Sequence, residues 1–123
     1  MKLLAASIFI AAASLTPLAA ADNVKVSIDG IGAMQCTSVL KGLKEEPTKA
    51  VNAIVGWSFG YMTRRNVERA LSNQNQLEFR DKITPDAVLN VVSGFCEKHG
   101  DTRLFEIIDA MYEALLADTA ITS

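Results

Sequence analysis

The chain has 123 residues, half of them hydrophobic, and carries 12 Lys and Arg against 14 Asp and Glu. This slightly acidic balance argues against a nucleic-acid partner, because binding to phosphates needs clustered positive charge. The length fits one domain with a modest hydrophobic core.

The N-terminal segment has the three-part layout of a secretory signal peptide. Lys2 precedes the apolar run LLAASIFIAAASL, and Pro17 is followed by three consecutive alanines that end at Ala21. We expect cleavage after about Ala21 and export to the periplasm, which leaves a mature domain of residues 22–123 outside the membrane. A retained membrane anchor is the alternative, but the apolar run is short for a span and is interrupted by polar residues.

The mature chain is predicted to begin with an arm and a short helix. Residues 22–33 alternate apolar and polar positions and include two glycines, which indicates an extended arm because a single strand has no partner. From Gln35 to Lys44 the apolar residues recur at helical spacing, so we expect a short helix with Cys36 near its start. Pro47 suits the first turn of the next helix.

Residues 48–71 predict a central core helix with a wide apolar face. Its two neighbouring stripes are Ala50, Ile54, Trp57 and Tyr61, and Val51, Val55, Ser58 and Met62. Gly56 and Gly60 indicate either close approach by another helix or a local weakness of this one. Arg64, Arg65 and Arg69 are the densest basic cluster in the chain, and we interpret them as a solvated helix end.

A loop and a third helix follow. Residues 72–83 are polar apart from Leu77, Phe79 and Ile83, which are expected to attach the loop to the core. Thr84 and Pro85 then signal an N-cap and a first helical position, with Asp86 favourable to the helix dipole. The predicted buried face is Val88, Leu89, Val92, Phe95 and Cys96, followed by His99 in the last turn and Gly100 as the stop.

Cys36 and Cys96 are the only two cysteines of the chain. An exported pair is usually joined, so we expect a disulfide that closes a loop of about 60 residues and stabilises the fold by about 4 kcal/mol. The stretch GFCEKHG places His99 three residues after Cys96, so a zinc site and a catalytic cysteine are the two alternatives to a disulfide. A zinc site needs three or four ligands, and a cysteine nucleophile needs a free thiolate and an oriented base. We therefore favour the disulfide over both.

Asp101 is predicted to cap a fourth helix over residues 102–117. Its apolar stripe is Leu104, Phe105, Ile108, Met111, Tyr112 and Leu115. Asp109 and Glu113 lie off this stripe and are interpreted as an exposed pair on one helix face, and no strong order is expected after Asp118. Together the segments predict an all-α, single-domain bundle of about four helices with one disulfide.

Sequence motifs for common catalytic and cofactor-binding sites do not occur in the chain. With a single histidine near a helix end, we expect no enzyme, no cofactor and no metal site. Trp57 and Tyr61 on one stripe are interpreted as core residues rather than as a cofactor-binding pair.

Taken in order, MQCTSVL, IVGWSFGYM, PDAVLNVVSGFC and CEKHGDTRLFEIIDA resemble the HdeA/HdeB family of periplasmic acid-stress chaperones. The resemblance covers residues 34 to about 112. Carried over, Cys36 and Cys96 match the disulfide of the family, and Trp57, Gly60 and Tyr61 match its aromatic motif. The resemblance implies a small helical protein, dimeric at neutral pH, that loosens in acid and holds unfolding client proteins through exposed apolar surface without ATP.

The composition permits such an acid response. The mature chain carries 11 basic and 14 acidic side chains, a net charge of −3. Near pH 2 the carboxyl groups are neutral, and the basic side chains with His99 and the new amino terminus bring the charge to +13. The alternative function is a periplasmic protein-binding module, such as an immunity protein of type VI secretion that neutralises one toxin.

Overall fold

The computed structural model describes residues 28–79 and 82–122, with side chains as far as Asp118. The predicted signal peptide, its cleavage site and residues 22–27 of the predicted arm lie outside these residues. The described elements are a 3-10 helix Gly30–Ala33, α1 Cys36–Glu45, α2 Pro47–Leu71, α3 Pro85–Cys96 and α4 Leu104–Thr122. An all-α bundle of four helices with one disulfide is therefore confirmed.

The helix boundaries follow local chemistry. Glu46 leaves the helical conformation with φ −135° and ψ 64°, and Pro47 restarts the chain as the first residue of α2, where its missing N–H is not needed. At α3 the Thr84 side chain accepts a hydrogen bond from Ala87 N at 3.1 Å, which confirms the predicted N-cap. Both signals were local, so the sequence was sufficient to locate them.

The two ends of α4 differ from the prediction. Asp101 does not cap the helix, because α4 begins at Leu104. Instead, Glu106 reaches back and accepts a hydrogen bond from Arg103 N at 2.8 Å, as in the second half of a capping box. The helix also continues to Thr122, beyond the predicted limit of order at Asp118.

One core joins the four helices and the loop, and α2 supplies its centre. The buried residues of α2 are spaced four apart, namely Ile54, Ser58, Met62 and Asn66. The other buried apolar residues are Cys36, Val39, Leu77, Ile83, Val88, Val92, Cys96, Leu104, Ile107, Ile108 and Tyr112. Burial of the loop residues Leu77 and Ile83, with Phe79 half-buried against Phe59, confirms that they attach the loop to the core.

Part of the predicted arm is folded. Gly30–Ala33 form the 3-10 helix, and Gly32 is buried against the ring of Trp57. A Cβ atom at position 32 would overlap that ring, so only glycine allows this approach. Trp57 therefore packs on the backbone of the 3-10 helix as well as against the core.

The structure excludes one alternative for α2 and corrects one expectation for α3. Apart from the chain neighbours and the backbone of α2 itself, no described atom lies within 4 Å of a Cβ built on Gly56 or Gly60, so close approach of another helix is excluded there. Phe95, predicted in the buried face, is 40% exposed. Its ring stacks on His99, which lies beyond the end of α3, with ring centroids 4.3 Å apart.

The hydroxyl of Ser58 is buried without a hydrogen-bond partner in the described part of the chain. Such a group destabilises the fold, because on burial it loses its hydrogen bonds to water and gains none from the protein. We expect Ser58→Ala to raise the free energy of unfolding by about 1 kcal/mol in urea denaturation. The matched control is Ser93→Ala, since the Ser93 hydroxyl donates to Leu89 O at 2.7 Å and its loss should not stabilise the fold. A destabilised Ser58→Ala would mean that this hydroxyl has a partner after all.

Candidate functional site

A polar cluster joins the two longest helices. Arg65 of α2 directs its guanidinium to Asp109 and Glu113 of α4, with Nη1 bound to one carboxylate and Nη2 to the other. The Arg65 side chain is 25% exposed, whereas that of Glu113 is 55% exposed, so the pair with Asp109 is the better shielded of the two. We call Arg65, Asp109 and Glu113 the Arg65 latch.

The latch corrects two interpretations of the sequence. Arg65 is not a solvated residue, although its neighbour Arg64 is, with a side chain 75% exposed beside Glu68. Asp109 and Glu113 do share a helix face, but both bind Arg65 of α2 and are not an independent exposed pair. Their partner lies 44 and 48 residues away in sequence, so helical spacing within α4 cannot reveal it.

Tyr61 extends the latch toward the aromatic residues. Its hydroxyl donates to Asp109 Oδ1 at 2.8 Å. Its ring stacks on Trp57 with centroids 5.2 Å apart and planes 20° apart. Of the predicted motif, the structure therefore brings Trp57 and Tyr61 together and leaves Gly60 exposed on α2.

Tyr112 connects the latch to a buried amide. The Arg65 guanidinium lies over its ring, 5.0 Å from the centroid, and its hydroxyl donates to Asn66 Oδ1 at 2.7 Å. Asn66 also pairs with the backbone of Leu77, accepting from its N–H at 2.9 Å and donating to its carbonyl at 2.8 Å. We call Asn66, Leu77 and Tyr112 the Asn66 clamp; it holds the loop, α2 and α4 together.

The pKa shifts at this site act in alkali. Burial raises the pKa of Tyr61, to which the bond to Asp109 adds, and burial likewise raises the pKa of Tyr112. For Arg65, burial lowers the pKa, but the Tyr61 hydrogen bond and the attraction of Asp109 outweigh it and raise the pKa above its usual value. A group with a raised folded-state pKa stabilises fully below its unfolded pKa and loses that contribution as the pH rises through the folded one. All three groups therefore respond above about pH 10.

The disulfide lies at the far end of α3, beside the start of α4. Cys36 and Cys96 are both buried, with Cα atoms 4.8 Å apart, as predicted. Cys96 is therefore not a free thiol, and neither a zinc site nor a nucleophile can be built from it with His99. Among the described residues, no group of three or more His, Cys, Asp or Glu side chains is placed to hold a metal ion.

Backbone hydrogen bonds reinforce this end of the bundle. Leu104 N donates to Met34 O at 3.0 Å, and Cys36 N donates to Thr102 O at 2.8 Å, on either side of a bridge between Gln35 and Arg103. The start of α4 is thus attached to the start of α1 next to the covalent bond. The middle of α4 is attached to α2 by the side chains of Asp109, Tyr112 and Glu113.

Comparison with known proteins gives no relative. No protein-family model matches the chain, and the searches of curated proteins and of solved structures returned no significant match. Of the helices in the described part of the chain, none combines the length and the apolar character that a membrane crossing requires.

Proposed function

We propose that the protein is an exported, ATP-independent acid-stress chaperone of the HdeA/HdeB kind, which loosens in acid and holds unfolding proteins of the periplasm. The observation that carries the proposal is the Arg65 latch, because two of its three residues are carboxylates that acid would neutralise. The disulfide has no titratable group, so it persists both at neutral pH and in acid. One set of contacts is thus lost in acid while a covalent bond keeps the chain from unfolding completely.

Helix charges extend this argument beyond three residues. α2 carries four basic side chains and one acidic one, a net charge of +3, and α4 carries four acidic side chains and no basic one, a net charge of −4. Full protonation of the carboxyl groups, as at about pH 2, would change these values to +4 and zero. The attraction between the helices disappears, and the mature chain as a whole reaches +13, which favours expansion.

Expansion would expose side chains suited to a holdase. At neutral pH, buried apolar residues such as Ile54, Met62, Ile108 and Tyr112 are fully enclosed. Once accessible, they offer the apolar surface on which an unfolding protein can be held without ATP. No catalytic step is part of this proposal.

The test is suppression of client aggregation by the purified mature protein, residues 22–123. Citrate synthase is brought to about pH 2.5 and its light scattering is followed with and without the protein. We expect suppression near equimolar ratio in acid and none at pH 7. Equal precipitation in both samples would refute the proposal, and a stoichiometric complex with one partner at neutral pH would favour the protein-binding module instead.

Replacing the two carboxylates of the latch by amides should reproduce the loosening effect of acid at neutral pH. We expect Asp109→Asn/Glu113→Gln to lower the free energy of unfolding by about 1 kcal/mol, a modest value because both carboxylates are partly exposed. Binding of an apolar dye at pH 7 should rise. The matched control is Glu45→Gln/Glu97→Gln, which changes the net charge equally at exposed positions outside the latch. If both pairs behave alike, net charge rather than the latch governs the loosening.

A further inference from the structure

We infer that acid frees α4 from α2 from Asp109 onward, while the start of α4 stays attached, and that the freed apolar face of α4 binds apolar segments of the unfolding client. This inference deepens the proposed function and rests on it. It specifies which surface of the molecule takes the client.

The attachment of α4 is pH-independent at one end. Its first residue, Leu104, is held by a backbone hydrogen bond to Met34, and the preceding turn is held by the bond from Cys36 N to Thr102 O. Both lie beside the disulfide. Backbone amides and a disulfide do not titrate in acid, so this end remains in place.

The middle of α4 is held by charge. α4 carries four acidic residues, Glu106, Asp109, Glu113 and Asp118. The groups of α2 around the middle of α4 are Tyr61, Arg65, Glu68 and Arg69. In acid the arginines stay charged and the carboxylates do not, so an attraction between the helices becomes an unpaired positive cluster on α2 alone.

Other elements packed on α4 add little charge. α3 carries the exposed Asp86 as its single titratable side chain apart from the bonded Cys96, and the 3-10 helix carries none. The described part of the loop carries Glu78 and Lys82, both exposed. Among the described residues, these elements therefore add three exposed charges and no buried one.

The freed face is apolar and, in acid, uncharged. Ile108 and Tyr112 are fully buried and Leu115 is partly buried, all on the side of α4 that faces the core. Because α4 has no Lys, Arg or His, protonation of its acids leaves a helix without any side-chain charge. Contact with an apolar client segment then requires no charge to be desolvated. α2 lacks this property, since its four basic residues stay charged.

The Asn66 clamp opposes release at neutral pH. Tyr112 must break its hydrogen bond to Asn66 and leave the core before the helix can swing out. This bond is between uncharged groups, so it alone does not change with acid. Acid therefore promotes release by breaking the latch, and the clamp then breaks as Tyr112 leaves the core.

The experiment combines hydrogen exchange with photo-crosslinking of the full mature chain. p-Benzoylphenylalanine replaces Leu115 on α4 in one variant and Phe95 on α3 in the matched control, where the ring is already partly exposed beside the disulfide. Each variant is irradiated with citrate synthase near pH 2.5 and at pH 7. We expect several-fold more crosslinking from position 115 in acid than at pH 7, and little change from position 95.

Amide hydrogen exchange of the wild-type chain in acid should show the same difference between the two parts of α4 and its surroundings. Amides of residues 109–118 should lose protection several-fold more than those of residues 96–104. Uniform loss of protection, or an acid-induced rise in crosslinking from position 95 as large as that from position 115, while the wild type still suppresses aggregation, would overturn the inference and leave the proposed function standing. Failure of the wild type to suppress aggregation would overturn the proposed function and, with it, the binding of clients by α4. Faster exchange of residues 109–118 than of residues 96–104 would still support the release of α4 in acid.

Discussion

Reduction of the bond between Cys36 and Cys96 is expected to lower the free energy of unfolding at pH 7 by about 4 kcal/mol. The bond joins residues 60 apart in sequence, so it removes many conformations from the unfolded chain. For a small domain this is a large share of a total that is typically about 5 to 15 kcal/mol. Guanidinium denaturation of the oxidised protein and of the protein in reductant measures the difference.

Cys36→Ala/Cys96→Ala is the control for this prediction. It should unfold at the same denaturant concentration as the reduced wild type and should not respond to reductant. In acid the bond should also limit the dimensions of the molecule. Near pH 2.5, small-angle scattering should show that the oxidised chain is partly expanded and that the reduced chain is as expanded as a denatured protein. Identical unfolding of oxidised and reduced protein would contradict the assigned role.

The sequence was sufficient where the signal is local or periodic. Thr84 and Pro85 marked the start of α3, and Leu77 and Ile83 were recognisable as apolar anchors in a polar loop. The disulfide followed from the inferred compartment and from the count of cysteines. Each of these features depends on neighbouring residues or on composition, and the structure confirms them.

Contacts between distant polar residues could not be predicted. Asn66 continues the stripe of Ile54, Ser58 and Met62 at the same spacing of four, but the predicted stripe ended at Met62. Its burial is favourable because Leu77 N–H and C=O pair with its amide, and that backbone comes from a loop 11 residues away. The one available signal was the spacing itself.

Phe95 shows the opposite error. Val88, Val92 and Cys96 form a sufficient buried stripe with a spacing of four, and adding Phe95 widened the face beyond what α3 buries. A strict spacing criterion would have excluded it. Hydrophobicity alone placed a residue in the core that the structure leaves 40% exposed.

Two sets of side-chain contacts hold α4 against α2. The Arg65 latch is ionic, and the proposed function requires that acid breaks it, whereas the Asn66 clamp joins uncharged groups. In the proposed mechanism the clamp opposes opening at every pH, and loss of the latch makes opening more favourable in acid. Substitutions in the clamp should accordingly change stability at every pH.

Asn66→Ala is expected to lower the free energy of unfolding by about 3 to 4 kcal/mol, because it leaves the Leu77 N–H, the Leu77 carbonyl and the Tyr112 hydroxyl without their partner in a buried site. Tyr112→Phe removes one of the three bonds and should cost about 1 kcal/mol. Urea denaturation at pH 7 measures both.

The double variant Asn66→Ala/Tyr112→Phe separates the clamp from general loss of packing. It should be no less stable than Asn66→Ala alone, because the phenol hydroxyl that the first substitution strands is removed by the second. The Leu77 amide should exchange rapidly in Asn66→Ala and stay protected in Tyr112→Phe, since only the former lacks its acceptor. Fully additive losses would show that Asn66 and Tyr112 act independently, and the uncharged fastening of α4 would then have to lie elsewhere in the core.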